Sequence, residues 1–192
     1  VGDPAERFAE DALRMLRALR FAARLSFRID GETAAAIHAA RTRLRAVAPE
    51  RLHKELSGIL CGRQAAALLE EFSDVLFELI PELAPCQGFR QYNPHHTRDV
   101  WTHTLAVVDG VPPEEPLRLA ALLHDAGKPA TFFFDKNLVG HFYGHPAAGA
   151  AVTEEVLRRL RYDRATTEFV TQLVAVHGRP IPDDLRGMRR ML

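Results

Sequence analysis

The sequence predicts an all-α protein, a helical neck followed by a second helical bundle. Three observations point that way. Apolar residues recur at helical spacing along most of the chain, no alternating strand pattern is sustained, and Asp, Pro and Gly stand at helix-length intervals where starts and stops belong. Residues 1–80 read as the neck, 81–94 as a Pro/Gly-containing linker, and 95–192 as the bundle.

Asp3-Pro4-Ala5-Glu6 is a start signal, with Asp capping and Pro in the first turn. One long helix is expected from it to about Leu25, with Phe8, Ala12, Met15, Leu16, Leu19 and Ala23 as its apolar stripe. Asp30-Gly31-Glu32-Thr33 opens a second helix over 34–43. Pro49-Glu50-Arg51 opens a third, closed by Gly62, and a fourth spans about 64–72. Val75–Ile80 is short and ends at Pro81. Beyond the linker, helices are expected near 98–109, 114–125, 146–160, 163–177 and 183–191, with an extended turn at Phe132–Asn137.

Composition narrows the class. A chain of 192 residues, 47% hydrophobic and 26% charged, suits an ordinary globular protein. No apolar run approaches the roughly 20 residues of a membrane span, and no signal peptide is visible, so a cytoplasmic protein without a membrane partner is expected. Cys61 and Cys86 lack metal-site spacing and read as small apolar groups. Net charge is zero but uneven: residues 1–64 carry twelve basic and eight acidic side chains. Nearly all the positive charge is arginine, whose planar fork suits phosphates and base edges. The neck is therefore a candidate nucleotide or RNA surface, with ordinary surface charge as the alternative.

His124-Asp125, at the end of the apolar run Leu117–Leu123, is the most informative feature. Two polar side chains at the tail of a buried helix face a large desolvation cost, which a divalent metal removes for both at once. Four more of the nine histidines sit at helix ends or on apolar helix faces: His103, His141, His145 and His177. His95 and His96 read as loop residues, and His38 and His53 as surface or interhelical ones. This order of histidines around an HD pair resembles the metal-dependent phosphohydrolases of the HD superfamily. The resemblance implies a divalent metal (Mg, Mn, Ni, Zn or Fe, not distinguished) at His103, His124 and Asp125, with His145 and His177 completing or extending the site. His141 stands as a ligand or a phosphate contact. Asp125 and Lys128 would be catalytic, Lys128 facing either the phosphoryl charge or water, and a last ligand would fall to Asp183, Asp184 or neither.

The first helix carries a second resemblance. Glu6 to Leu25, ERFAEDALRMLRALRFAARL, is similar to the segment after the catalytic head in bacterial class II tRNA nucleotidyltransferases, the CCA-adding enzymes and poly(A) polymerases. The family's EDxxR motif falls on Glu10, Asp11 and Arg14. There it would present a template to CTP or ATP, with Arg17 and Arg20 assisting at phosphate or the RNA end. Spacing of i and i+3 puts Asp11 and Arg14 on one helical face, expected to be solvent-exposed together with Glu10 and Arg17; surface ion pairs are the plainer reading. Ala48-Pro49-Glu50-Arg51-Leu52-His53-Lys54-Glu55-Leu56 resembles the next family element. The head's paired metal-binding aspartates have no counterpart, since the only Asp-x-Asp or adjacent-Asp candidate is Asp183-Asp184. A fragment, partial gene or split subunit is thus expected, with tRNA or an RNA 3′ end and small phosphoesters as partners, and CTP or ATP if a head is supplied. A non-catalytic RNA-binding scaffold and a free-standing HD nucleotide phosphohydrolase are the alternatives.

Overall fold

The computed structural model describes residues 2–92 and 97–179. The expected last helix at 183–191, with Asp183 and Asp184, lies outside the described residues, as do His95 and His96. The fold is all-α. Eleven α-helices and two short 3₁₀ turns are joined, among the described residues, by a single two-stranded hairpin. No helix of these residues is long and apolar enough to cross a membrane.

The long first helix is interrupted. α1 (Pro4–Glu10) ends at Asp11, whose backbone is extended at φ −147°, and α2 (Leu13–Leu25) begins two residues later. The Asp11 carboxylate accepts a hydrogen bond from the Leu13 N–H at 3.1 Å. A short acidic side chain competing for a backbone donor breaks a helix in this way, a local effect that apolar periodicity does not register. α2 stops at Ser26, which takes the left-handed conformation at φ 56°. α3 (Gly31–Ala40) is capped by Asp30, which accepts from the Glu32 and Thr33 N–H groups, and it runs on into a 3₁₀ turn at Arg41–Ala46.

α4 (Pro49–Leu60) packs along α2. A Cβ at Gly62 would lie 2.4 Å from Ala23 Cβ and 2.8 Å from its carbonyl oxygen, so only glycine lets these segments meet. α5 (Ala65–Glu71) and α6 (Ser73–Leu79) are separated by buried Phe72. His38 is interhelical as expected, its ring stacked on Phe72 and its Nδ1 2.9 Å from Asp74 Oδ1.

The segment expected as a linker has structure of its own. Pro81–Cys86 forms a second 3₁₀ turn, with Leu83 and Cys86 almost wholly buried. Both cysteines are free thiols. One continuous apolar cluster runs from Phe8 to Val174. Across it, the His53 Nδ1 lies 2.8 Å from the Leu160 carbonyl oxygen, and Ser57 Oγ lies 2.9 Å from the Tyr162 hydroxyl.

α7 (Val100–Gly110) and α8 (Glu115–Leu123) come next, then a single turn, α9 (Lys128–Thr131). β1 (Phe133–Phe134) and β2 (Gly140–His141) pair antiparallel where the extended turn is expected. α10 (His145–Arg159) and α11 (Arg164–Val176) close the bundle, α11 capped by Asp163.

Candidate metal centre

α8 is apolar because it lies inside the bundle: Leu119, Leu122 and Leu123 are inaccessible. His124 and Asp125 come directly after it, 9% and 2% exposed. The chain then turns sharply at Gly127. A Cβ there would lie 2.4 Å from the His145 carbonyl oxygen and 2.5 Å from the Gly149 nitrogen. The glycine thereby lets the start of α10 close on the HD turn and brings His145 to Asp125.

The two oxygens of Asp125 serve two different pairs of imidazoles. Oδ2 lies 3.0 Å from His124 Nε2 and 3.7 Å from His103 Nε2. Oδ1 lies 3.6 Å from His145 Nε2 and 3.7 Å from His177 Nε2, and these two nitrogens are 3.2 Å apart. The result is two groups of three donors with one carboxylate in common. Metal bonds of about 2.0–2.2 Å separate neighbouring ligand atoms by about 3.0–3.5 Å, so the spacing fits a divalent ion.

The rings are aimed by the backbone. His124 Nδ1 lies 2.8 Å from the Ala121 carbonyl oxygen, His145 Nδ1 2.8 Å from that of Phe142, and His177 Nδ1 2.6 Å from that of Val174. Carbonyls only accept, so each Nδ1 carries a proton, and it is the neutral form of each ring that presents an Nε2 lone pair inward. Asp125 Oδ2 is buried beside the Lys128 ammonium, 2.8 Å away, which offsets part of the cost of burying a carboxylate. The four imidazole nitrogens around the carboxylate make the donor set of a divalent cation as well.

Lys128 is buried, 5% exposed, which excludes the water-facing reading. Its Nζ lies 2.8 Å from Asp125 Oδ2 and donates to Gln91 Oε1 at 2.7 Å. Gln91, 2% exposed, in turn donates from Nε2 to the Arg98 carbonyl. Sequence reading missed Gln91. Its only signal is an amide in an otherwise unstructured stretch, and nothing local says that it is buried.

Burial alone would raise the Asp125 pKa, but the imidazoles of His124 and His177 and the Lys128 ammonium hold it well below the usual carboxylate range. Burial pushes His145 below its ordinary value, favouring the neutral, coordinating form. At His177 burial acts the same way, yet the Asp125 carboxylate outweighs it and the pKa rises.

His141 is not brought to the centre as a ligand. Its Nε2 lies 3.1 Å from Asp135 Oδ2, and its ring stacks on Tyr143 and Phe133. The other wall of the Asp125 cavity, about 680 Å³ and open to solvent, includes His141, Tyr143 and Arg179.

In the neck, the expected single face of Glu10, Asp11, Arg14 and Arg17 is divided. Glu10 is exposed and pairs with Arg7 within α1 and with Arg14 across the α1–α2 break. Asp11 has left the helix and turns to α4, 3.2 Å from Arg51 Nη2, with Arg17 Nη1 at 3.8 Å. Despite partial burial, the Leu13 N–H and the Arg51 guanidinium hold Asp11 below its ordinary pKa. Arg17 also reaches Glu55 of α4 at 3.5 Å, and Arg20 donates to the same buried carboxylate at 2.6 Å. Asp11 and Arg14 are thus near neighbours in the chain but partners of different residues.

Fold and site together define an HD-type helical domain, with a His/Asp group that could hold a metal, joined to a helical neck. Two family models match in tandem: "Probable RNA and SrmB- binding site of polymerase A" over residues 26–86, and "HD domain" over residues 95–190. The chain belongs to the tRNA nucleotidyltransferase and poly(A) polymerase family, through the neck and the HD domain. It is 38% identical over 200 residues to the CC-adding tRNA nucleotidyltransferase of Thermus thermophilus, covering 96% of this chain and 45% of that protein. It is 34% identical over 195 residues to the A-adding tRNA nucleotidyltransferase of Deinococcus radiodurans, covering 95% and 45%. The multifunctional CCA protein of Ralstonia nicotianae is 33% identical over 183 residues, covering 91% and 42%. The chain therefore spans somewhat under half the length of these relatives.

Proposed function

We propose that His103, His124, Asp125, His145 and His177 hold one or two divalent metals and that this centre hydrolyses phosphate esters. One observation carries the reading: a single buried carboxylate faces an imidazole pair with each of its oxygens. A bound divalent ion would supply a water of lowered pKa and a Lewis-acid contact for a phosphoryl oxygen. The chain's own part is positional. Asp125 and the four histidines fix the donor set, and the backbone carbonyls fix the tautomers. Lys128 holds Asp125 against Gln91 and adds positive charge to the cavity wall, where charge builds on a phosphoryl group under attack.

The neck reading rests on the family and on residues 10–17. Glu10, Asp11, Arg14 and Arg17 would meet a base edge and phosphates of CTP or ATP in the company of a nucleotidyltransferase head, with a tRNA or RNA 3′ end as acceptor. The helix break at Asp11 supports a presenting role, because it turns that carboxylate out of the helix and fixes it with arginines.

The first test is metal analysis of the purified chain, then assay of bis-p-nitrophenyl phosphate, 2′,3′-cyclic AMP and 2′-AMP with each divalent ion. Turnover that chelation stops and His177→Ala removes is expected. Metal binding without turnover of any phosphoester would leave the scaffold reading instead. In a protein that also carries the head, Asp11→Ala and Arg14→Ala should blur the choice between CTP and ATP. Unchanged base choice would reduce both residues to surface ion pairs.

A further inference from the structure

The hairpin beside the metal centre exposes aromatic rings that the fold does not need. Phe133 is 43% exposed and Tyr143 74%. Single exposed apolar side chains need no explanation, but an exposed aromatic cluster that reaches a cavity through Tyr143 does. With His141 the two rings form one contiguous cluster. The His141 ring lies 5.2 Å from Tyr143 at an interplanar angle of 22°, and 5.5 Å from Phe133 at 28°. Phe133 and Tyr143 are themselves 5.5 Å apart and tilted by 48°, so the His141 ring joins two faces set at an angle.

This surface is pre-set. Asp135 Oδ1 accepts from the Asn137 N–H at 2.8 Å and the Val139 N–H at 2.9 Å, closing the turn, while Oδ2 holds His141. These contacts hold Asp135 below its ordinary pKa. Tyr143 stands two residues before His145, inside the turn in which the His145 ring meets the Phe142 carbonyl, so the aromatic surface and the metal-facing imidazole share one rigid stretch of chain. His141 and Tyr143 line the same cavity as Asp125 and His145.

We infer that Phe133, His141 and Tyr143 are a stacking platform for a nucleobase, and that they select a base carried on a ribose phosphate over phosphoesters without one. Exposed aromatic faces are what a purine or pyrimidine stacks on, and the contact tolerates any base. The ribose then spans from the platform to the cavity, which places the phosphate at the histidines. This inference rests on the phosphohydrolase reading for its setting, but it concerns binding and is tested by binding.

The test is titration of the whole chain, with Mn²⁺ present, against 2′-AMP and separately against inorganic phosphate. Tyr143→Ala should weaken 2′-AMP binding about tenfold, the loss of one stacking contact, and leave phosphate binding unchanged. Tyr143→Phe should bind 2′-AMP like the parent. Phe133→Ala should behave as Tyr143→Ala does. Equal weakening of both ligands, or 2′-AMP binding no tighter than phosphate in the parent, would overturn the platform. The phosphohydrolase reading fails differently, by absence of turnover, and selective 2′-AMP binding would survive that result.

Discussion

Lys128 Nζ lies 2.8 Å from Asp125 Oδ2, three residues along the chain, with both side chains almost wholly buried at the floor of the cavity. The two residues cannot be altered independently. Removing Asp125 leaves a buried ammonium with no anionic partner, only the Gln91 amide and the Phe142 ring, so Asp125→Ala should lose metal and also destabilise the fold by about 3–5 kcal/mol. The double variant Asp125→Ala/Lys128→Met should regain most of that stability and still bind no metal. Urea melts with metal analysis check both outcomes, and metal retained by the double variant would remove Asp125 from the ligand set.

Gly127→Ala should separate the two halves of the centre. The added carbon meets backbone atoms of His145 and Gly149, which cannot rotate aside. α10 must retreat, carrying His145 from Asp125 while His103 and His124 stay in place. We expect a stability loss of about 1–3 kcal/mol and a fall in bound metal toward half where two ions bind. Unchanged stoichiometry and melting would mean that the turn yields more easily than its contacts imply.

Asp99→Ala tests the approach from α7. Asp99 Oδ1 accepts from both the N–H and the hydroxyl of Thr102, each at 2.7 Å, and so fixes the turn leading to His103. Loss of the cap should cost about 1 kcal/mol and weaken metal affinity, with His103 present but less well held. Circular dichroism melts and competition with a chelator measure the two effects.

Alkaline stability should report on Cys86. Burial, reinforced by the Asp125 carboxylate, pushes this thiol from 9.0 up to about 12. The unfolded chain releases the proton near its ordinary value while the folded chain keeps it, so the unfolded state binds fewer protons and stability falls as pH rises between these values. One such thiol contributes at most about 1.4 kcal/mol per pH unit. Cys86→Ala should show a shallower decline in urea midpoint above about pH 9. Parallel slopes in the two proteins would contradict a buried thiol.

Much of the molecule was legible in its residues. The all-α class came from periodicity, and Asp30, Pro49, Asp99 and Asp163 stand where helices begin. That His103, His124, Asp125, His145 and His177 gather in one place was readable because polar groups on apolar helices demand a reason. Features set by contacts distant in sequence were not readable. Nothing near Gln91 says that it anchors a lysine 37 residues on. The division of residues 10–17 escaped for the opposite reason: the interruption at Asp11 is a single side-chain bond to the neighbouring backbone, invisible to a stripe that continues through it. His141 illustrates a third limit, since Asp135, six residues earlier, takes the imidazole that motif order offers to the metal.

Three of the centre's histidines are fastened through Nδ1 to the carbonyl three residues before them: Ala121 for His124, Phe142 for His145, Val174 for His177. Because main chain does the fastening, the identity of the residue at each of those positions is immaterial to the aim of the ring. Its distance along the chain is not. Adding or deleting one residue within a helical turn rotates the downstream residues by about 100°, which would swing an imidazole out of the cluster. Side-chain drift at these three positions, within what the packed core admits, should therefore leave the rings aimed where insertions and deletions would not, and the centre is encoded as strongly in spacing as in composition.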